Sequence, residues 1–285
     1  MQHEYGSNSG TKEIQMTSII KNSRRLIIFN TLSLLIFFVS GQAFAWTQTA
    51  TFESGANGAG ASGTSGFSAA GSRTTFSSDM AHSGTKSAKM VWNKGDEGFA
   101  ADRGELIYPS GVGTGGEVWI RGYYFFPTGW SWVDTAGSNT HVKTLRIAVP
   151  GSGFISFITR SGGQIMYSNE PAAAYEENLN SFIETGKWQC LELYVKMGNP
   201  GTVRMWKDGV LIKQDTSRTT GSTASYSYIM SQWNNGPAQN QSEYLDDFIV
   251  TTDTPSGRDS AGNPMIGPSN GTTLAAPTGL RIAAY

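Results

Sequence analysis

The stretch Glu117-Val-Trp-Ile-Arg-Gly-Tyr-Tyr-Phe-Phe-Pro127 reads EVWIRGYYFFP and is the strongest strand signal in the chain. β-Branched and aromatic residues dominate it, as they do in sheets. Trp119, Tyr123 and Phe125 fall on one face by period two, and a row of that kind is more often core than an exposed binding surface. Similar short runs lie on either side: SAKMVW, GELIYP, HVKTLRIAV, GFISFITR, QCLELYVKM, TVRMWKDGVLIKQ and EYLDDFIVTT. Gly-rich turns separate them at intervals of roughly 10 residues, the spacing of an all-β sandwich or jelly roll. The 35 glycines, the 15% charged content and the lack of any long helical period agree with that class.

The first 45 residues read as a leader outside the fold. Lys21, Arg24 and Arg25 precede the run LIIFNTLSLLIFFV, and Ala43-Phe44-Ala45 offers small residues before Trp46. A basic n-region, a short apolar h-region and an A-x-A site describe a secretory signal peptide. A membrane-spanning helix needs about 20 apolar residues in succession. The expected product starts at Trp46 and is secreted, to the outside or the periplasm. Met1 and Met16 both remain open as the start.

The whole chain carries 21 Lys and Arg against 22 Asp and Glu; the leader takes four of the former and two of the latter, leaving 17 against 20. No strongly basic field exists to collect nucleic acid or an anionic membrane. An acidic partner would have to be held by a few placed cations. The single cysteine, Cys190, excludes an intramolecular disulfide and reads as a buried, inert thiol. Asp208-Gly209 marks a tight type I′ hairpin. One helical turn is expected in AAAYEENL. Residues 46–254 form the expected jelly-roll domain, and 255–285 read as a linker or tail by composition. Its last residues, PTGLRIAAY, resemble the opening strand of a fibronectin type III module.

GGEVWIRGYYFFPTGW, GKWQCLELYVK, GTVRMWKDGVLI and EYLDDFIVTT together resemble the concanavalin A-like jelly-roll superfamily, over roughly Phe52 to Thr252. The resemblance implies two antiparallel sheets with glycan lying across a concave face. Its glycoside hydrolases set carboxylates at alternate positions of one strand, because retaining hydrolysis needs them about 5 Å apart. No such strand occurs here. The superfamily's polysaccharide lyases remove the C5 proton of a uronic acid and expel the 4-linked sugar. That reaction needs a group to neutralise the carboxylate, a base and a proton donor.

Alginate lyases of this fold carry R-x-E-L, then Q-x-H, then a Tyr-rich strand with Y-x-K. Arg103-Gly-Glu105-Leu106 matches the first, and Asn139-Thr-His141 is similar to the second. Tyr226-Ser-Tyr228-Ile-Met230-Ser-Gln232 takes the third place without the lysine. The resemblance implies Arg103 as carboxylate holder, Asn139 assisting, His141 as base and Tyr228 as acid. Period two puts Arg103 with Glu105, Asn139 with His141 and Lys143, and Tyr226 with Tyr228 and Gln232. Leu145, Ile147 and Val149 are expected to continue the His141 face as apolar packing. Glu105, Lys143 and Gln232 become candidate substrate contacts.

Each candidate has a structural alternative. His141 could bond a neighbouring loop at a strand end, and Arg103 could pair with Glu105. Trp130, Trp132 and Trp233 are candidate sugar platforms, or fill gaps beneath the loops. Elimination needs no cofactor. Glu53 and Asp246-Asp247 resemble the first- and last-strand acids that hold a structural calcium in related domains. Two functions therefore stand: a lyase acting on an acidic polysaccharide, and a non-catalytic lectin-like module. N-terminal sequencing of exported protein should return Trp46, and a product retaining Lys21 would overturn the leader assignment.

Overall fold

Alternation in Glu117–Phe125 sets the architecture: Val118, Ile120 and Tyr124 enter the main core, while Trp119 joins a second cluster on the opposite face. The computed structural model describes residues 45–97, 104–137, 141–229 and 233–269, with the backbone alone at Tyr228 and Ile229. The remainder of the expected leader, residues 1–44, and the fibronectin-like end of the chain lie outside them. Among the described residues no helix is long and apolar enough to cross a membrane.

The first strands are β1 (Thr47–Ala50), β2 (Ala69–Ala70), β3 (Thr74–Ser77), β4 (Ser87–Trp92) and β5 (Gly104–Val112). Next come β6 (Glu117–Phe125), β7 (Val142–Val149), β8 (Gly153–Thr159), β9 (Gln164–Asn169) and β10 (Tyr175–Phe182). β11 (Trp188–Lys196), β12 (Thr202–Lys207), β13 (Val210–Asp215), β14 (Ala224–Ile229) and β15 (Gln241–Thr251) follow. Two short strands, β16 (Gly257–Arg258) and β17 (Pro264–Met265), close the described chain. One eight-stranded sheet runs β13-β12-β11-β6-β15-β4-β3, with β1 also on β15. The facing sheet runs β10-β9-β8-β7-β14-β5-β2. The result is a two-sheet antiparallel jelly-roll sandwich.

Local readings hold in several places. Asp208 and Gly209 both have positive φ, 51° and 80°, as a type I′ turn between β12 and β13 requires. Cys190 is buried, and burial pushes its thiol up to about 12. The helical turn expected in AAAYEENL does not form there. Glu170–Ala172 makes a 3-10 turn, Ala173 and Ala174 take left-handed φ, and the chain continues as β10.

The loop tryptophans are core residues, not platforms. Trp130 and Trp132 are each 7% exposed and Trp233 is fully buried. Trp130 N–H closes a turn on the Pro127 carbonyl, which folds both indoles back onto Phe126 at 5.0 and 4.8 Å. Trp233 bridges Val142 and packs edge-on against Trp92 at 6.2 Å. Large flat rings close the end of the sandwich because burial of their area outweighs any gain from exposure.

The segment expected as a linker is also corrected, over residues 255–269. It lies on the outer face of the eight-stranded sheet, where Arg121 and Glu192, opposite each other in β6 and β11, are buried. Glu192 accepts N–H bonds from Ile266 (2.7 Å) and Gly267 (2.8 Å), and Arg121 donates to Gly267 O at 3.1 Å. Trp119 donates to Pro264 O and Trp206 to the Asp259 carboxylate. Composition alone reads this strap as loose; its order comes from backbone groups that satisfy buried side chains. Burial pushes Glu192 up to about 7, with the strap N–H groups and Arg121 pulling it back.

Truncation after Thr254 should lower the urea midpoint and red-shift tryptophan emission, because Trp119 and Trp206 lose their cover. An unchanged midpoint would make the strap dispensable.

Candidate functional site

The three strands that carry the sequence motifs are neighbours. β14 lies between β5 and β7 in the seven-stranded sheet. Register extends the alignment across the sheet: Glu105 stands opposite Tyr228, Tyr228 opposite Arg146, Arg146 opposite Ser156, Ser156 opposite Ser168, and Ser168 opposite Glu176. Partners in register share a face, so this row crosses the sheet surface turned away from the core.

A bulge between Lys143 and Leu145 shapes the row. Val142, Leu145, Ile147 and Val149 enter the core, leaving Arg146 and Ala148 on the other face. Thr144 takes up the extra position, buried, with its hydroxyl on Thr159 (2.8 Å) and its carbonyl receiving the Tyr124 hydroxyl (3.0 Å). The expected continuity of Lys143 with Leu145 therefore fails. One inserted residue reverses the alternation. Lys143 is brought to the same side as Arg146.

Arg146, which period two set on the strand face opposite His141 and Lys143, is the residue that sequence reasoning missed. Its Nε donates to Ser156 Oγ and its Nη2 to Glu170 Oε1, both at 3.0 Å, and its guanidinium lies 3.6 Å from the Phe154 ring centroid. The signal was the pair Lys143 and Arg146 three apart inside a strand, a spacing that reaches one face only through a bulge.

Two ionisable groups beside Arg146 are perturbed. Burial pushes Lys143 down to about 8, and Arg146 adds to this while Glu170 and Glu176 oppose it. Its ammonium donates to the Asn234 side-chain carbonyl. Half-buried His141 sits just before β7, and its imidazole is held below the ordinary 6.5, first by burial. Glu176 works against that shift; Arg160 and Lys143 reinforce it. Both shifts ease loss of the proton: His141 is neutral near neutral pH, while Lys143 stays mostly charged there and loses its charge above about 8. Glu105 is buried in the row. Arg103, Asn139 and Gln232 lie outside the described residues, and Tyr228 is placed by its backbone register alone.

The three expected calcium ligands have other work. Glu53 accepts from the backbone N–H and hydroxyl of Thr85 and the N–H of Lys86, while Lys86 Nζ donates to Glu53 O at 2.9 Å. Asp246 accepts the N–H groups of His82 (2.8 Å) and Ser83 (3.1 Å), and burial, then Asp247, pushes it up to about 7. Asp247 holds His82 Nδ1 and Ser83 Oγ, both at 2.7 Å. Asp247 has positive φ beside a β15 bulge, and both neighbouring carboxylates reach the 82–83 turn. A hard cation needs oxygens turned to a common point; these carboxylates face N–H and O–H donors, and the Lys86 ammonium lies on the Glu53 main-chain carbonyl. Among the described residues no group of three His, Cys, Asp or Glu is placed to hold a metal. His82 stacks on Tyr123 at 3.5 Å, on the sheet opposite His141, a structural position.

Among solved structures, the chain is similar to a double mutant of alginate lyase Aly36B in complex with an alginate trisaccharide. Identity is 14%, over 72% of this chain and 97% of that one, with TM-score 0.52. For Aly36B itself the values are 12%, 72%, 96% and 0.51. For cellulose induced protein Cip1 they are 17%, 72%, 97% and 0.50. No protein-family model and no curated protein matches the chain. At these identities the likeness is one of fold, the two-sheet antiparallel jelly roll.

Lys86→Met should cost about 1–3 kcal/mol, the range for a charge-assisted hydrogen bond. A chelator should leave the wild-type melting temperature unchanged. A chelator-induced drop would restore the metal assignment.

Proposed function

We propose that the protein is a secreted polysaccharide lyase that cleaves a uronate-containing glycan by β-elimination on the open face of the seven-stranded sheet. The observation that carries this reading is the meeting of His141 and Lys143, both with lowered pKa, beside Arg146 on the sheet whose adjacent strands bear the three motifs.

In this mechanism neutral His141 takes the C5 proton. The C5–H electrons form the C4–C5 double bond as the C4–O4 bond breaks. Tyr228 gives its proton to the departing oxygen. Lys143, charged below about 8, attracts the carboxylate and offsets the negative charge that develops on it. Arg103, Asn139 and Gln232 keep the roles the motif resemblance implies, with Glu105 bracing the motif strand. A binding-only role through Trp130, Trp132 and Trp233 loses its support with their burial.

A second reading has its own observation. A lysine near 8 is itself in the range of a general base. The pH profile separates the two. With His141 as base, kcat/KM falls as pH drops through a value below 6.5 and falls again above about 8, when Lys143 loses its charge. With Lys143 as base, the rate rises through about 8 instead.

The test is a panel of polyuronates followed by the ultraviolet absorbance of the unsaturated product. His141→Ala should lower the rate on the order of 10² to 10⁴ with glycan affinity nearly kept. Equal rates in His141→Ala and wild type would remove His141 from the mechanism. Absence of product from every polyuronate would remove the lyase reading.

A further inference from the structure

The open face of the seven-stranded sheet is chemically unequal along its strands. At the start of β7 stand His141 and Lys143, in the electrostatic reach of Arg160 and Glu176. At its far end the next row runs Ile107, Tyr226, Ala148, Phe154, each opposite the next across β5, β14, β7 and β8. Ile107 is 44% exposed, a large apolar side chain left in water near the edge of the sheet, beyond the reach of the two-residue β2. Beside it an open cleft of about 340 Å³ is lined by Ala148, Pro150, Gly153, Phe154, Ser225 and Tyr226 among others, none of them charged. That volume falls at the lower end of the range for small-ligand sites.

Two charged groups stand against Phe154 at this cleft, Arg146 and Glu170, and they are paired with each other. Glu170 also accepts the Phe154 N–H, so a carboxylate already stands at the cleft wall. Arg146 stands over the Phe154 ring on the same wall, 3.6 Å from its centroid, but it is already engaged by Glu170 and Ser156. Among the described lining residues a uronate would meet that carboxylate and no cation without an anion of its own, which disfavours its desolvation. A sugar without charge would set its C–H face against aromatic and aliphatic side chains, which favours binding. From Lys143 to Ala148 is five positions of strand, roughly 15 Å at the rise of a strand, enough to separate sugar subsites.

We infer that the groove is built for a mixed glycan, with a uronate at the His141–Lys143 end and an uncharged sugar presenting an apolar face at the Ile107–Phe154–Tyr226 end. The inference rests on the proposal that glycan lies across this sheet face, but not on cleavage there. Discrimination arises from what each end rejects as much as from what it holds.

The experiment compares two size-matched oligosaccharides, a homopolymeric uronate and an alternating copolymer of uronate with a neutral 6-deoxyhexose. Calorimetry reads binding, and ultraviolet absorbance reads elimination. Wild type should bind the alternating copolymer at least about tenfold more tightly, the scale of one apolar subsite contact. Ile107→Lys, at an exposed position, should narrow or reverse that ratio by supplying a cation to a second uronate. Equal or tighter wild-type binding of the homopolymer would overturn the inference. So would a ratio unmoved by Ile107→Lys in a folded variant. Preference for the copolymer without elimination would keep the inference and remove the lyase reading. Elimination without preference would do the reverse, and binding of neither glycan would remove both.

Discussion

Arg121 is a guanidinium with no solvent exposure at the centre of the strand that organises the eight-stranded sheet. A charge so placed must be paired and hydrogen-bonded, or it would cost several kcal/mol. Its partners come from three other segments: Glu192 faces it from β11, Asp247 offers a carbonyl from β15, and Gly267 offers another from the strap. Glu192 in turn holds the strap N–H groups. The outer face of this sheet is therefore sealed by the chain's own backbone.

The same requirement acts at β15. Asp247 keeps left-handed backbone and a bulge so that its carbonyl reaches Arg121 while its carboxylate holds His82 and Ser83. Asp246 takes the backbone of the same turn. Glu53 and the Lys86 ammonium tie the next residues of that turn to the loop after β1. The acids that resemble a cation site in sequence accept hydrogen bonds from a loop, with the Lys86 ammonium on the Glu53 carbonyl beside them.

On the open face, one inserted residue governs the electrostatics. The bulge at Thr144 brings Lys143 and Arg146 to one side, and their mutual repulsion adds to burial in lowering the lysine. Without it, period two would send one of the two cations into the core. The pairing of Arg146 with Glu170 then neutralises the far half of the face, while His141 and Lys143 leave the near half polar. A gradient from ionisable to apolar along one strand follows from a single irregularity and a single ion pair.

The sequence by itself determined the all-β class, most strands, the Asp208-Gly209 turn and the inert cysteine, because those follow from local alternation and turn chemistry. It also ordered the Arg103, His141 and Tyr228 motifs. Only the tertiary structure decided that their strands are adjacent, since sheet order joins segments at least 75 residues apart in the chain. Tertiary packing buried Trp130, Trp132 and Trp233, whose turn-rich surroundings read as surface. It ordered residues 255–269, whose composition reads as linker, because buried Arg121 and Glu192 needed backbone partners. Arg146 was hidden for the same reason: a bulge has no local signature, and the face that a side chain takes is fixed by the partner strand.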